Sequence, residues 1–217
     1  MKSSIEKIRR RDLVAAAFET FRVHGLNGAT VARIGRRAGM SHGIINYYFN
    51  SKDELLSAVI RHAFGLILRR AVRLLRTATT PRERVAAIVA ANFPAELFTP
   101  ETASSWLSFY AAVATNRDFE KLQTAFYRHL HTKLVRELVG IVAADDAERI
   151  ATGISVWIDG LWIRCAMKNQ IIEPQAAIRA IEAYIDMSLN QAMIRHRPRS
   201  SRPAARNASR GVTKPGR

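Results

Sequence analysis

The chain has a single cysteine, Cys165, in 217 residues. That excludes an internal disulfide framework and any cysteine-rich zinc site, and it fits a reducing cytoplasm. No run of about 18 apolar residues occurs, so no ordinary membrane span is predicted. The opening segment, MKSSIEKIRRRD, is charged with no apolar stretch behind it, which predicts no signal peptide. Enzyme motifs are missing as well. The 6 histidines form no HExxH pattern, and His129 and His131, two residues apart, point to different faces of a helix. There is no glycine-rich phosphate loop and no nucleophile elbow. No catalytic residue, metal ligand or cofactor is predicted.

Negative charge is scarce: 18 Asp+Glu stand against 34 Lys+Arg, for a formal net charge of +16. The excess is uneven. Residues 1–52 carry a net +7, residues 53–194 only +1, and residues 195–217 a net +8. A basic head and a basic tail flank a nearly neutral body, a distribution that points to a polyanion at the ends and other business between them. The tail, RHRPRSSRPAARNASRGVTKPGR, is poor in bulky apolar residues and contains three prolines. It cannot repay the entropy of ordering and is expected to be disordered. The organisation expected is residues 1–52, then 53–194, then this tail.

Helix signals fill everything before the tail, and no alternating Val/Ile-rich run suggests a sheet. Apolar residues Leu13, Ala16, Ala17, Phe18 and Phe21 place a helix over about 5–24, broken at Gly25-Leu26-Asn27-Gly28. Thr30 caps a short helix, Val31 to Ala38, which Gly39 ends; Ser41 caps a shorter one to about Tyr47. Ser51-Lys52-Asp53-Glu54 opens a long helix to about Arg76. Thr80-Pro81, Thr99-Pro100 and Glu173-Pro174 mark later starts. The fold class predicted is all-α, with about nine helices.

Thr30 to Phe49 reads TVARIGRRAGMSHGIINYYF. Two short helices joined by a glycine-containing turn form a helix-turn-helix, whose second helix enters the major groove of DNA. Val31, Ile34, Ala38, Ile44 and Ile45 are expected to pack inward, leaving Arg33, Arg36 and Arg37 as phosphate partners. Thr30 and Ser41 present hydroxyls and backbone N–H groups at helix N-termini, where phosphates bind. His42, Asn46 and Tyr47 stand on the reading helix, and Lys52 adds a further cation. The plainer reading of the same stretch is a helical hairpin with a solvated basic face.

These segments resemble the TetR-type one-component repressors over residues 9 to about 193. The resemblance rests on TVARIGRRAGMS, on Tyr47-Tyr48-Phe49 and on Lys52-Asp53-Glu54-Leu55-Leu56. It implies a three-helix DNA-binding head, a helical ligand-binding body and a homodimer formed by the last two helices. It also implies that Ser41, His42, Gly43, Tyr47 and Lys52 approach double-stranded operator DNA, with Tyr48 and Phe49 supporting them. Within that family the chain is most similar to the choline-responsive BetI repressors of glycine-betaine synthesis. Ile8-Arg9-Arg10-Arg11, Gly43-Ile44-Ile45, Trp106-Leu107-Ser108-Phe109 and Ile158-Asp159-Gly160-Leu161-Trp162-Ile163-Arg164 carry that similarity. His42 and Asn46-Tyr47 depart from the usual BetI reading helix, and the basic tail is an extension.

The effector so implied, choline, is a quaternary ammonium ion with no N–H to donate, recognised by aromatic faces and a nearby carboxylate. Trp106, Phe109 and Tyr110 share one helix, with 106 and 110 on the same face. Asp159 and Trp162 are i,i+3 neighbours on another, whereas Trp157 lies about 140° away from Trp162 around that helix. These five residues are the expected cage, with Glu96 and Glu101 as rival carboxylates. Core and dimer-interface packing is the alternative for each aromatic. Two other functions stay open: a TetR-type regulator of a different small molecule, and a ligand-independent architectural DNA-binding protein.

Overall fold

A computed structural model describes residues 2–167 and 171–196. The predicted tail beyond His196 lies outside the described residues. Nine helices and no strand occur among the described residues: α1 (Lys2–Gly28), α2 (Val31–Ala38), α3 (His42–Tyr48), α4 (Lys52–Leu75), α5 (Pro81–Ala91), α6 (Pro100–Val113), α7 (Arg117–Leu138), α8 (Ala144–Ala166) and α9 (Pro174–Arg195). None of these is long and apolar enough to cross a membrane.

Local chemistry sets most of the boundaries. The side chains of Thr30, Ser41, Ser51, Thr80 and Thr99 each accept a backbone N–H from the first turn of the helix they precede. Such a cap is worth about 1 kcal/mol. Thr80 and Glu83 complete a reciprocal capping box with Pro81 at the first helical position. Helix α8 starts without such a cap: its N-cap is Ala143, which makes no side-chain hydrogen bond, and Asp145 and Asp146 lie in the first turn. Carboxylates there suit the positive end of the helix dipole.

The turn between α2 and α3 is as tight as its glycines imply. Gly39 ends α2 in the left-handed conformation, at φ 63°. A Cβ on Gly35 would stand 2.7 Å from the Met40 carbonyl oxygen, so a side chain there would push the two helices apart. Ile34 and Ile45 are the buried anchors of the pair. Ile44, expected inside, is 39% exposed. A helix of two turns carries too few apolar residues for its rotation to be read from the sequence.

One apolar core runs from Leu13 in α1 to Leu189 in α9, without a gap between head and body. Helix α1 packs on α2, α4 and α6, and α8 packs on α6, α7 and α9. The break foreseen near Gly25 is a bend rather than an end: Gly25 takes φ 65°, and one more helical turn follows to Gly28. At the bend the Leu26 N–H is donated to Ser108 Oγ at 2.8 Å, and Ser105 Oγ donates to the Arg22 carbonyl at 2.9 Å. Arg22 itself donates to Thr102 Oγ1 and to the Glu96 carbonyl. The backbone groups released by the bend are thus satisfied by Ser105 and Ser108 of α6, and the Arg22 side chain ties the same bend to α6 and the loop before it.

Candidate functional site

Two regions concentrate the residues singled out by the sequence. The first is the surface around α3. His42, Gly43 and Asn46 are exposed there, and Tyr47 is 70% exposed. The Tyr47 hydroxyl donates to Glu6 Oε1 at 2.8 Å, a bond that holds the phenol above its ordinary pKa. Tyr48 is half-buried and meets the Tyr47 ring edge-on at 5.1 Å, so it braces the surface instead of joining it. Phe49 is buried under the Arg10 guanidinium, 4.4 Å from its ring centre. Thr30 and Ser41 are exposed, but their hydroxyls are engaged in capping Arg33 and Ile44 N–H groups. Their remaining first-turn N–H groups are what they can offer an anion.

The cations divide into two groups. Arg36 and Arg37 are exposed in the last turn of α2, a position also favoured by the helix dipole. Arg33 and Lys52 are tethered: Arg33 Nη1 donates to the Gly28 carbonyl at 3.0 Å, and Lys52 Nζ reaches the Asn27 carbonyl at 3.5 Å. Both hold the α1–α2 corner while keeping charge on this face. Sequence reasoning missed the contribution of α1, whose Ile5, Glu6 and Arg9 line one groove with Ser41, Gly43, Ile44 and Tyr47. The run Arg9-Arg10-Arg11 was the available signal.

Gly43 is informative through what the fold does not require of it. A Cβ there would meet only Ser41 Oγ, at 3.9 Å. A glycine in the middle of a helix costs about 0.5–1 kcal/mol relative to alanine, less in the first turn where Gly43 stands, and no neighbour among the described residues requires it.

The second region is inside the body. Trp106 and Tyr110 of α6 and Asp159 and Trp162 of α8 line one small cavity. Phe109 does not join them: it is 0% exposed, packed behind Trp106 against Phe119 and Phe64. Trp157 faces elsewhere, 6.2 Å from Tyr184 of α9. Glu96 and Glu101 are exposed and line other grooves. The cavity adds residues the sequence did not flag: Phe64 from α4, Gln123, Phe126 and Tyr127 from α7, and Asn92. Phe64 is sandwiched between Trp106 at 5.6 Å and Phe126 at 4.1 Å, both nearly parallel to it.

The polar end of the cavity is poorly hydrated and electronegative. Asp159 Oδ2 accepts the Tyr127 hydroxyl at 2.6 Å. Burial pushes the Asp159 carboxyl above its usual range, and the Tyr127 hydrogen bond offsets that only in part. Burial, together with the Asp159 charge, likewise keeps Tyr110 and Tyr127 protonated. Gln123 Oε1 is buried without a hydrogen-bond partner, an acceptor that costs stability until something donates to it. Trp162 Nε1 is satisfied by the Asn92 carbonyl at 3.2 Å. A carboxylate, stacked aromatic faces and an idle acceptor are the kinds of group that recognise an organic cation carrying a donor. The space is about 30 Å³, room for two or three waters at roughly 10–15 Å³ each. In this conformation the cavity is too small for an organic cation.

Residues 13–59 match the family described as bacterial regulatory proteins, tetR family, and residues 81–190 match the BetI-type transcriptional repressor, C-terminal. The HTH-type transcriptional regulator BetI of Rhizobium meliloti (strain 1021) is 38% identical over 188 residues, 87% of this chain and 93% of the relative. A transcriptional regulator from Pseudomonas aeruginosa PAO1 superposes with a TM-score of 0.73 at 29% identity, covering 88% of this chain and 95% of that one. A regulator from Saccharomonospora viridis, crystallised in complex with choline, has the same fold, with a TM-score of 0.68 at 24% identity, covering 82% of this chain and 95% of that one. The relatives are transcription regulators, not enzymes, and this chain belongs to the TetR family as one of its BetI-type repressors.

Proposed function

We propose that the protein is a homodimeric repressor that grips an operator through residues 30–52 and releases it when a quaternary ammonium ion, choline in the first instance, enters the body. The genes under its control are then those of choline conversion to glycine betaine. The observation that carries the effector assignment is the Asp159–Tyr127 pair facing the Trp106–Phe64–Phe126 stack. The choline bound to the regulator of like fold supports it. At the other end, His42, Gly43, Asn46 and Tyr47 read the groove, while Arg36, Arg37 and helix N-termini engage phosphates. The dimer forms through α8 and α9, whose Trp157, Val156, Met187 and Ile194 leave an apolar face exposed. Residues 53–194 are the effector and dimerisation unit, residues 1–52 the DNA-binding unit.

Release follows from where the effector must fit. A cation larger than the closed cavity has to part the Phe64 stack and displace Trp106. Phe64 stands on α4, about 18 Å along the helix from Lys52 at its start. Trp106 stands on α6, between the two serines that hold the α1 bend. Moving either tilts the head. Only an effector that binds the tilted arrangement better than the closed one shifts the equilibrium.

Selection of duplex DNA from a random pool tests the reading. The wild-type protein is expected to protect one palindrome with half-site centres about 34–36 Å apart or a multiple of that. Millimolar choline is expected to release it, trimethylamine less well. Broad coating without a palindrome would make the protein architectural. A palindrome indifferent to choline would make it a regulator of another compound. Gly43→Ala gives an independent check: unfolding free energy holds or rises, by less than the roughly 0.5–1 kcal/mol of a mid-helix glycine, while operator affinity falls. A variant that is stabilised and binds as well as wild type removes Gly43 from the interface.

A further inference from the structure

Beside the aromatic cavity lies a second one, and the two share Ile67, Asn92 and Phe126 as lining. It is bounded by α4, α5 and α7, measures about 260 Å³, and is walled by Ile67, Leu68, Ala71, Leu75, Ile88 and Leu130. Exposed His129 and half-buried Lys133 stand on it as well. The Phe126 ring, stacked 4.1 Å from Phe64, is the partition. A dry cavity of about 150 Å³ takes a six-carbon ring, so the space beyond Phe126 admits a chain of that size. The space in front of it, about 30 Å³, does not hold even a trimethylammonium group until the stack opens.

We infer that the effector site takes a quaternary ammonium ion carrying a linear apolar tail, and that bare choline fills only half of it. The assignment rests on the cation reading above and adds the tail. The head group sits against Asp159 and the aromatic faces, and the tail passes the swung Phe126 ring into the lateral cavity. Charge fixes the direction: Lys133 at the far end repels the cation, and Asp159 at the near end attracts it. The wall around the tail is apolar apart from Asn92, whose Nδ2 is already donated to the Ile88 carbonyl, and His129 and Lys133, which stand on the α7 side. Specificity for the tail is therefore a matter of apolar area and length, and an ester or an alkyl link serves equally at this level of chemistry.

Calorimetry and operator release with tetramethylammonium, butyltrimethylammonium, hexyltrimethylammonium and butyrylcholine test the inference on the full chain. Affinity is expected to rise by up to about fourfold per added methylene, flattening near six carbons. Butyrylcholine separates an ester-bearing tail from a plain one by its place in the series. Ala71→Phe, which fills the lateral cavity, is expected to flatten the series while leaving tetramethylammonium within twofold of wild type. Ala71→Leu is the milder filling variant, with an intermediate slope, and serves if the larger one does not fold. A flat series in the wild-type protein overturns the tail site while leaving the cation reading intact. A steep series unchanged by both substitutions overturns it too, since the tail then lies elsewhere. Failure of tetramethylammonium itself to bind overturns both.

Discussion

Tyr47→Ala and His42→Ala are each expected to weaken binding to the selected operator by roughly 30-fold, from two lost contacts of about 1 kcal/mol apiece in a dimer. The melting temperature should barely move, because neither residue carries the core. Tyr47 is 70% exposed, with its hydroxyl donated to Glu6 and its ring edge-on to Tyr48, and exposed substitutions of this kind change stability by about 0.5 kcal/mol or less. Fluorescence anisotropy against the operator and thermal unfolding of the free protein separate the two effects. If both variants bind as wild type does, α3 is not the reading helix. Loss of affinity together with a large fall in melting temperature would make the residues structural.

Asp159→Asn is expected to weaken choline binding at least ~30-fold, since removing one partner of a desolvated charge pair costs about 2 kcal/mol or more. Operator affinity without effector should be unchanged. The wild-type protein should also show a pH dependence with a definite sign. Because burial raises the Asp159 pKa, the folded chain holds a proton there that the unfolded chain has already released. Ionising the group therefore lowers stability as pH rises from the ordinary carboxylate value through the raised one. A bound cation favours the ionised form, so choline affinity should climb over the same window and level off above it. In Asp159→Asn that rise should vanish. A variant that keeps both the affinity and the rise would place the cation elsewhere.

What could be read from the sequence was whatever is decided within a turn or two of helix. The caps at Thr30, Ser41, Ser51, Thr80 and Thr99 are local hydrogen bonds between near neighbours, and they bound five helices as expected. The i,i+4 and i,i+3 spacings likewise brought Trp106 with Tyr110 and Asp159 with Trp162 to one cavity. Spacing could not tell that Phe109 turns its ring into the core, because three residues from Trp106 is compatible with either side of a wide apolar stripe. Nor could it find Phe64, Phe126 and Tyr127. They come from α4 and α7, and their meeting depends on how those helices rotate against α6 and α8, which is settled by packing across the body. The tether between Tyr47 and Glu6 was invisible for the same reason: the partners are 41 residues apart.

The bend at Gly25 bears on how this regulator can be rewired. If the DNA-binding head were exchanged for another repressor's, the obvious splice point would follow α3, near Lys52. Here that cut would orphan a seam. The Leu26 N–H and the Arg22 carbonyl depend on Ser108 and Ser105. A Cβ at position 25 would stand 3.2 Å from Ser108 Oγ in a backbone conformation that side chains resist. A borrowed head with an ordinary residue at that position would dock askew, and its operator would be read with the wrong spacing even in the absence of effector. A chimera that keeps its switch has to carry Gly25 in the graft, or take Ser105 and Ser108 along with it.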